Sequence, residues 1–149
     1  MTRFLPDTSV MIATVCSWHE YHVPAAQDLE RRLARREILI VAAPALVEAY
    51  AVLTRLPSPH RLSPTDARAL LETNFLAGRK LIALEANDYR TLLEQAPAQG
   101  VSGGRTYDWV IALCAAKAKA SVLLTFNPRD FESFVTERLE VRVPSGPAA

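Results

Sequence analysis

Three carboxylates stand alone in long uncharged stretches of this 149-residue chain. Asp7, Glu48 and Asp108 are the only Asp, Glu, Lys or Arg in residues 4–19, 38–54 and 106–116. Such apolar neighbourhoods predict burial, and an isolated ionised carboxylate taken out of water is costly unless a positive group compensates it. No Lys or Arg is interleaved here, so one shared divalent cation with hard oxygen ligands is the simplest way to neutralise all three. The pattern therefore predicts a metal site.

The elements that must position these acids alternate between strand and helix patterns. Apolar runs of strand length lie at 3–6, 38–42, 80–84 and 121–125, and an alternating run at 139–143 predicts an edge strand. Helical patterns lie at 8–17, 24–36, 44–55, 64–77, 86–97, 106–119 and 129–135. This alternation predicts an α/β fold of three layers, α/β/α, with a mainly parallel sheet of about five strands. In such sheets the chemistry collects beyond the carboxyl ends of the strands, where Asp7 directly follows the first strand.

The segment after the fourth strand adds polar groups at the same edge. Asn127 and Asp130 are candidates to orient an attacking water or to complete a metal shell. Arg105 and Arg129 flank the acids and could hold phosphates without reading bases. Weaker candidates are the hydroxyls of Thr8, Ser9 and Thr125, which could either support the metal ligands or contact phosphate, since Ser and Thr at strand ends more often cap helices.

Composition indicates a single domain at residues 1–144 with a loose tail at 145–149. The apolar fraction of 50% predicts a well-filled core, and a formal charge of +1 excludes a sequence-wide affinity for polyanions. Cys16 and Cys114 have no CxxC spacing, so we expect reduced thiols. Asp7 follows too short an apolar segment for a signal peptide to be expected, and no apolar run is long enough to span a membrane. We expect a cytoplasmic protein without a membrane segment.

Four motifs in order resemble those of PIN-domain ribonucleases, and most closely the VapC toxins of bacterial toxin–antitoxin pairs. They are Asp7-Thr8-Ser9, Leu46-Val47-Glu48 ahead of 53–57, Tyr107-Asp108 opening an alanine-rich helix, and the segment 124–131 with sequence LTFNPRDF. The resemblance covers essentially the whole chain. It departs from the family pattern at Asn127, where an acid is frequent, which puts a second metal ion in doubt.

The resemblance implies a fold, an activity and partners. It implies a PIN-like fold and endonucleolytic cleavage of RNA with Mg²⁺ or Mn²⁺. It assigns Asp7, Glu48 and Asp108 as metal ligands and catalytic residues, with Asn127 and Asp130 near the fourth position. It also implies a homodimer that is inhibited by a cognate VapB-like antitoxin.

Structural roles compete for the same residues. Asp7 could cap the following helix, Asp108 could interact with a helix dipole, and Asp130 could be an exposed turn acid. His19 and His22 form an HxxH pattern that suggests zinc, but without a second ligand pair a loop or helix-end role is favoured. A cluster of arginines predicts a solvated helix face at positions 31, 32, 35 and 36.

Two other functions remain open at this point. A phosphotransferase of the haloacid-dehalogenase type also places an aspartate after the first strand, but it needs an acid where Ser9 stands. A non-catalytic PIN-like module that binds RNA or protein is kept open by the neutral Asn127. The sequence has no glycine-rich phosphate loop for nucleotide binding.

Overall fold

The computed structural model describes residues 1–145. Its strands are β1 (Arg3–Pro6), β2 (Ile38–Ala42), β3 (Lys80–Ile82), β4 (Val122–Leu124) and β5 (Glu140–Arg142). Its helices are α1 (Thr8–Val15), α2 (His22–Ala34), α3 (Ala43–Arg55), α4 (Pro64–Leu71), α5 (Ala86–Gln99) and α6 (Arg105–Lys117). A π-helical turn at Glu72–Leu76 continues α4, and a 3-10 helix spans Pro128–Phe134. The predicted order of elements is confirmed, with ends that differ by a few residues.

The five strands form one parallel sheet in the order β3-β2-β1-β4-β5. The predicted edge position of the last strand is confirmed. Most of the predicted tail, residues 146–149, lies outside the described part of the chain. Within residues 1–145, no helix combines the length and apolarity needed to cross a membrane.

Helices cover both faces of the sheet. Successive residues of a strand point to opposite faces, so a strand that is buried along its whole length is covered on both sides. In β1, Phe4 and Leu5 are fully buried, as are Ile40 and Val41 in β2 and Leu123 in β4. The predicted three-layer α/β/α arrangement is therefore confirmed.

The strand order reverses direction next to β1. From β1 the chain moves to β2 on one side, and from β3 it crosses over to β4 on the other side. Pro6 pairs with Leu124, and the Asp7 N–H extends this ladder by donating to the Leu124 carbonyl at 2.9 Å. The carboxyl ends of β1 and β4 thus meet at a topological switch point, where open α/β sheets bind ligands.

The arginine cluster is only partly a solvated face, because Arg35 and Arg36 are exposed as predicted whereas Arg31 and Arg32 are partly buried on α2. Asp28 is buried on the same helix and accepts hydrogen bonds from Arg31 and, at 3.0 Å, from Arg32. Arg32 also donates to Glu37 at 2.9 Å, and its guanidinium lies 5.5 Å from the centroid of the Phe4 ring. The pattern of charges in the sequence does not reveal that Asp28 is buried or that Arg31 and Arg32 donate hydrogen bonds to it. This ion-pair network fixes α2 against β1.

Replacing Asp28 with alanine should lower the free energy of unfolding by about 2 to 4 kcal/mol, because the Arg32 side chain, only 12% exposed, would keep Glu37 as its one compensating acid. Urea unfolding measures the loss. The control is Arg68→Ala, which removes an exposed pair with Glu72 and should change stability by less than about 0.5 kcal/mol. Equal effects of the two substitutions would show that the Asp28 network is not structural.

Candidate active site

A cleft of about 420 Å³ opens at the switch point between β1 and β4. Its walls include the three isolated acids, Asp7 after β1, Glu48 on α3 and Asp108 in the first turn of α6. The lining is completed by Thr8, Ser9, Ile12, His19, Glu20, Tyr21, Val52, Ile111, Phe126 and Asn127. Acids that are far apart in sequence are therefore brought to one cavity by three different elements.

Asp7 combines the two roles that the sequence left open. It is the N-cap of α1, and its Oδ1 accepts hydrogen bonds from the Val10 N–H at 3.1 Å and the Ser9 hydroxyl at 2.6 Å. Only 5% of the residue is exposed. Burial raises the pKa of Asp7, and hydrogen bonds from Ser9, Thr125 and Val10 oppose that rise only in part. Capping a helix therefore does not exclude a chemical role for this carboxylate.

Glu48 is exposed, so its predicted burial is wrong. The apolar run around it forms an amphipathic helix whose exposed side carries Glu48 together with Val47. The Thr8 hydroxyl lies 3.2 Å from Glu48 Oε2 and 3.5 Å from the Ala45 carbonyl oxygen, and it can donate to either. This contact directs the Glu48 carboxylate toward Thr8, the residue that follows Asp7.

Asp108 is half buried, and both burial and charged neighbours shift its pKa. Burial raises its pKa most, the charges of Asp130, Asp7 and Glu48 raise it further, and Arg105 lowers it, so that the pKa of Asp108 reaches about 6. The charges of Asp130, Asp7 and Glu48 therefore each act on Asp108. Strongly shifted pKa values of this kind cluster at functional sites.

The hydroxyl groups of Thr8, Ser9 and Thr125 lie against the carboxylates of the cleft. Thr125 is fully buried, its Oγ1 accepts a hydrogen bond from the Asn127 N–H at 2.9 Å, and its side chain also hydrogen-bonds to Asp7. Of its two predicted roles, support of a carboxylate fits this burial and contact with phosphate does not. Thr8 and Ser9 direct their hydroxyls at Glu48 and Asp7. A hydroxyl has one proton to donate, so these groups orient carboxylates instead of offering donors to a phosphate.

The polar residues after β4 lie at the rim. Asn127, Arg129 and Asp130 are exposed, and of these only Asn127 lines the cleft. Asp130 nevertheless contributes the largest charge effect on Asp108. Arg105 donates to the Ser133 hydroxyl, and its guanidinium lies 5.6 Å from the centroid of the Phe134 ring, so it is held against the 3-10 helix.

Aromatic residues of the cleft were missed by the sequence reasoning. Tyr21 and Phe126 both line it, and their rings stack with centroids 4.7 Å apart at an interplanar angle of 14°. His19, which was assigned to a loop or helix end, also lines the cleft. The one available signal was the concentration of Trp18, His19 and Tyr21 in a segment with a single charged residue, Glu20.

The donor set suits a hard divalent cation. It consists of carboxylate oxygens under mutual repulsion, which Mg²⁺ or Mn²⁺ prefers and relieves. Within residues 1–145, however, no three Asp, Glu, His or Cys side chains are close enough together to hold a metal ion as they stand. Binding of a cation would therefore draw the carboxylates closer to one another.

A family model described as the PIN domain matches residues 4–135 of the chain. Among curated proteins, the chain is 38% identical to Ribonuclease VapC40 of Mycobacterium tuberculosis over 138 residues, which cover 93% of this chain and 96% of that protein. It is 34% identical to Ribonuclease VapC27 of the same organism over 137 residues, which cover 92% of each.

The fold is also similar to a solved structure, that of VapBC2 from Rickettsia felis bound to a DNA fragment from their promoter. The match has a TM-score of 0.67 and 18% identity, and it covers 95% of this chain and 98% of that one. At this level of identity the likeness supports the fold alone.

Replacing Asp108 with asparagine should stabilise the metal-free protein at neutral pH. The folded-state pKa of about 6 lies above the ordinary value of 3.8, so the carboxyl group favours folding below pH 3.8 and loses that effect as pH rises through 6. The expected gain at pH 7 is about 1 to 2 kcal/mol after allowing for solvent screening. Urea unfolding from pH 3.5 to 7.5 with a chelator present measures the gain.

The matched control for this experiment is Glu94→Gln, which changes an exposed acid of α5 outside the cleft. As a surface substitution, it should change stability at pH 7 by less than about 0.5 kcal/mol. A destabilised Asp108→Asn variant at pH 7 would contradict the repulsion described here.

Proposed function

Because this chain belongs to the PIN-domain family, we propose that the acidic cleft is the active site of a metal-dependent endoribonuclease, the toxin of a VapBC-type toxin–antitoxin pair. The observation that carries the proposal is the convergence of Asp7, Glu48 and Asp108, with Asp130 close enough to raise the pKa of Asp108. The relatives that resemble the chain over more than nine-tenths of its length are named ribonucleases. Ribonuclease activity on cellular RNA is consistent with a cytoplasmic location.

The metal proposed for the cleft is Mg²⁺ or Mn²⁺, held by Asp7, Glu48 and Asp108 directly or through water. When bound, such an ion supplies an activated water and stabilises charge on the phosphoryl oxygens. Asn127 can add an amide oxygen without adding charge. Its neutrality favours one ion over two, since a second ion would want a further carboxylate.

The protein's own contribution is to hold the charges in place before substrate arrives. Ser9 and the Val10 N–H fix the rotamer of Asp7, and Thr8 reaches across from α1 to Glu48. At pH values near 6 the metal-free cleft can hold a proton on a carboxyl oxygen of Asp108. Preorganised groups of this kind need no rearrangement when charge develops during the reaction.

A phosphotransferase of the haloacid-dehalogenase type does not fit this site. That chemistry needs an acid two positions after Asp7, and here Ser9 occupies the position and its hydroxyl donates a hydrogen bond to Asp7.

The proposed partners are a VapB-like antitoxin and a second copy of the chain. Val47 on α3 and Tyr107 on α6 are each 70% exposed, and they line an apolar groove next to Glu48 together with Ala51 and Tyr89. Neighbouring exposed apolar side chains that line a groove are typical of surfaces that bind other proteins. A partner seated there would lie beside the acidic cleft.

The purified protein should cleave a mixture of cellular RNAs in the presence of Mg²⁺ and lose that activity in EDTA. Asp7→Asn and Glu48→Gln should each lower kcat/KM about 100-fold or more, because each removes one negative charge and one ligand oxygen from the cleft. Asparagine can still cap α1, so Asp7→Asn should remain folded. Gel assays on one RNA at matched protein concentrations measure the rates.

The control is Glu132→Gln, an exposed acid of the 3-10 helix that does not line the cleft, and it should retain full activity. Cleavage that persists in EDTA, or that survives Asp7→Asn and Glu48→Gln, would overturn the proposed function.

A further inference from the structure

A second pocket, of about 680 Å³, opens on a side of α6 other than the one that carries Asp108 into the acidic cleft. Trp109, Ala112, Leu113 and Ala116 line it, and residues spaced by three and four lie on one face of a helix. The two alanines are too small to fill the space between α6 and α5. We call this space the α5–α6 pocket.

The floor of the α5–α6 pocket is apolar and closely packed. The rings of Trp109 and Phe134 stack with centroids 5.9 Å apart at an interplanar angle of 4°, and both residues are buried. Leu139, which is also buried, adds an aliphatic side chain to the lining. A floor that is already fixed by packing offers apolar contact to a ligand at little cost in entropy.

The rim of the pocket carries positive charge. Strands β4 and β5 are parallel neighbours, with Val122 opposite Glu140, so the residues that precede them reach the same amino edge of the sheet. Lys119 and Arg138 lie there and line the pocket. Neither forms an ion pair with another residue of the described chain. The lining found within residues 1–145 includes no Asp or Glu, so the pocket has the opposite charge to the acidic cleft.

Hydroxyl groups beside these cations can donate to the same ligand. The Ser133 hydroxyl oxygen accepts a hydrogen bond from Arg105, and Thr136 Oγ1 accepts from the N–H groups of Arg138 and Leu139, each at 3.2 Å. A hydroxyl that accepts in this way still has its own proton to donate. The polar groups at the pocket therefore suit a ligand with several acceptor oxygens, such as a carboxylate or a phosphate.

We propose that the α5–α6 pocket binds a small anion with an aromatic body, which packs its ring on Trp109 and Phe134 and places a carboxylate or phosphate group beside Lys119 and Arg138. The volume lies in the range of pockets that bind small molecules, and an apolar floor with a few polar groups is their usual construction. Walls from α5, α6 and the 3-10 helix suit a compact molecule better than a long polymer. The acids of the cleft take no part, so this inference does not depend on the proposed function.

Two fluorescent probes with the same rings test the proposal. Anilinonaphthalene sulfonate carries an anionic group, and phenylnaphthylamine is its neutral counterpart. The sulfonate should bind at one site per chain of the folded protein. Phenylacetate and phenyl phosphate, which carry the two proposed anionic groups, should displace it, whereas neutral benzyl alcohol should not.

The indole N–H signals of the two tryptophans locate the probe in an NMR spectrum of the protein. The signal of Trp109 should move as the sulfonate is added. The signal of Trp18 should stay in place, because its ring contacts His19 of the acidic cleft and does not line the α5–α6 pocket.

Replacing Gln95 with glutamate places an acid in the lining without disturbing the core, since Gln95 is exposed on α5. Gln95→Glu should weaken binding of the sulfonate about 3- to 10-fold, because the new carboxylate repels it, and should leave the affinity for the neutral probe nearly unchanged.

Lys119→Gly has a matched control in Arg36→Gly. Lys119 has a φ of 56° and Arg36 a φ of 62°, and they follow the ends of α6 and α2. Glycine adopts this left-handed conformation without strain, so both variants should fold and change the melting midpoint alike. Only Lys119→Gly should weaken binding of the sulfonate, by about 3- to 10-fold, because Arg36 does not line the pocket.

Sulfonate affinity that is unchanged in both Gln95→Glu and Lys119→Gly would overturn the proposal, as would an equal loss of both probes. A shift of the Trp18 signal in place of the Trp109 signal would also overturn it. So would an affinity that falls as the protein concentration rises, because a second copy of the chain would then occupy the pocket.

Discussion

Repulsion among carboxylates gathered at one edge of the sheet is the constraint on which the rest of this structure depends. Parallel strands deliver their carboxyl ends to the same side, so Asp7 meets groups from α3, α6 and the segment after β4. The cost is visible at Asp108, whose pKa reaches about 6 through burial and the charges of its neighbours. This arrangement is the basis of the metal site proposed above, because a divalent ion would convert the repulsion into ligation.

Small side chains keep this unfavourable arrangement ordered. Ser9 donates to Asp7 and accepts from the Phe126 N–H, which joins the ends of β1 and β4 through a single hydroxyl. Thr8 links α1 to α3 in the same way, because its hydroxyl can donate a hydrogen bond to Glu48. Because these hydroxyls donate to carboxylates, they have no further proton to offer a bound molecule.

Much of the fold and the acidic trio could be predicted from sequence because both depend on local pattern. Strand and helix runs alternate clearly, and isolated charges stand out in apolar stretches. The exposure of Glu48 could not be predicted, since an apolar run in a helix need not be buried all round. The stacking of Tyr21 on Phe126 joins residues far apart in the chain, and no periodicity encodes it. The burial of Asp28 on α2 could not be predicted either, because the arginines around it in the sequence are typical of an exposed charged face.

The central claim is that a cation relieves the repulsion among the acids, and thermal unfolding with added metal tests it most directly. Melting midpoints of the wild-type protein should rise by about 2 to 4 °C in millimolar Mg²⁺ or Mn²⁺, at constant ionic strength set with KCl. The rise should be much smaller in Asp108→Asn, which has one fewer carboxylate to neutralise. A midpoint that does not respond to metal, or that rises equally in wild type and Asp108→Asn, would contradict the account.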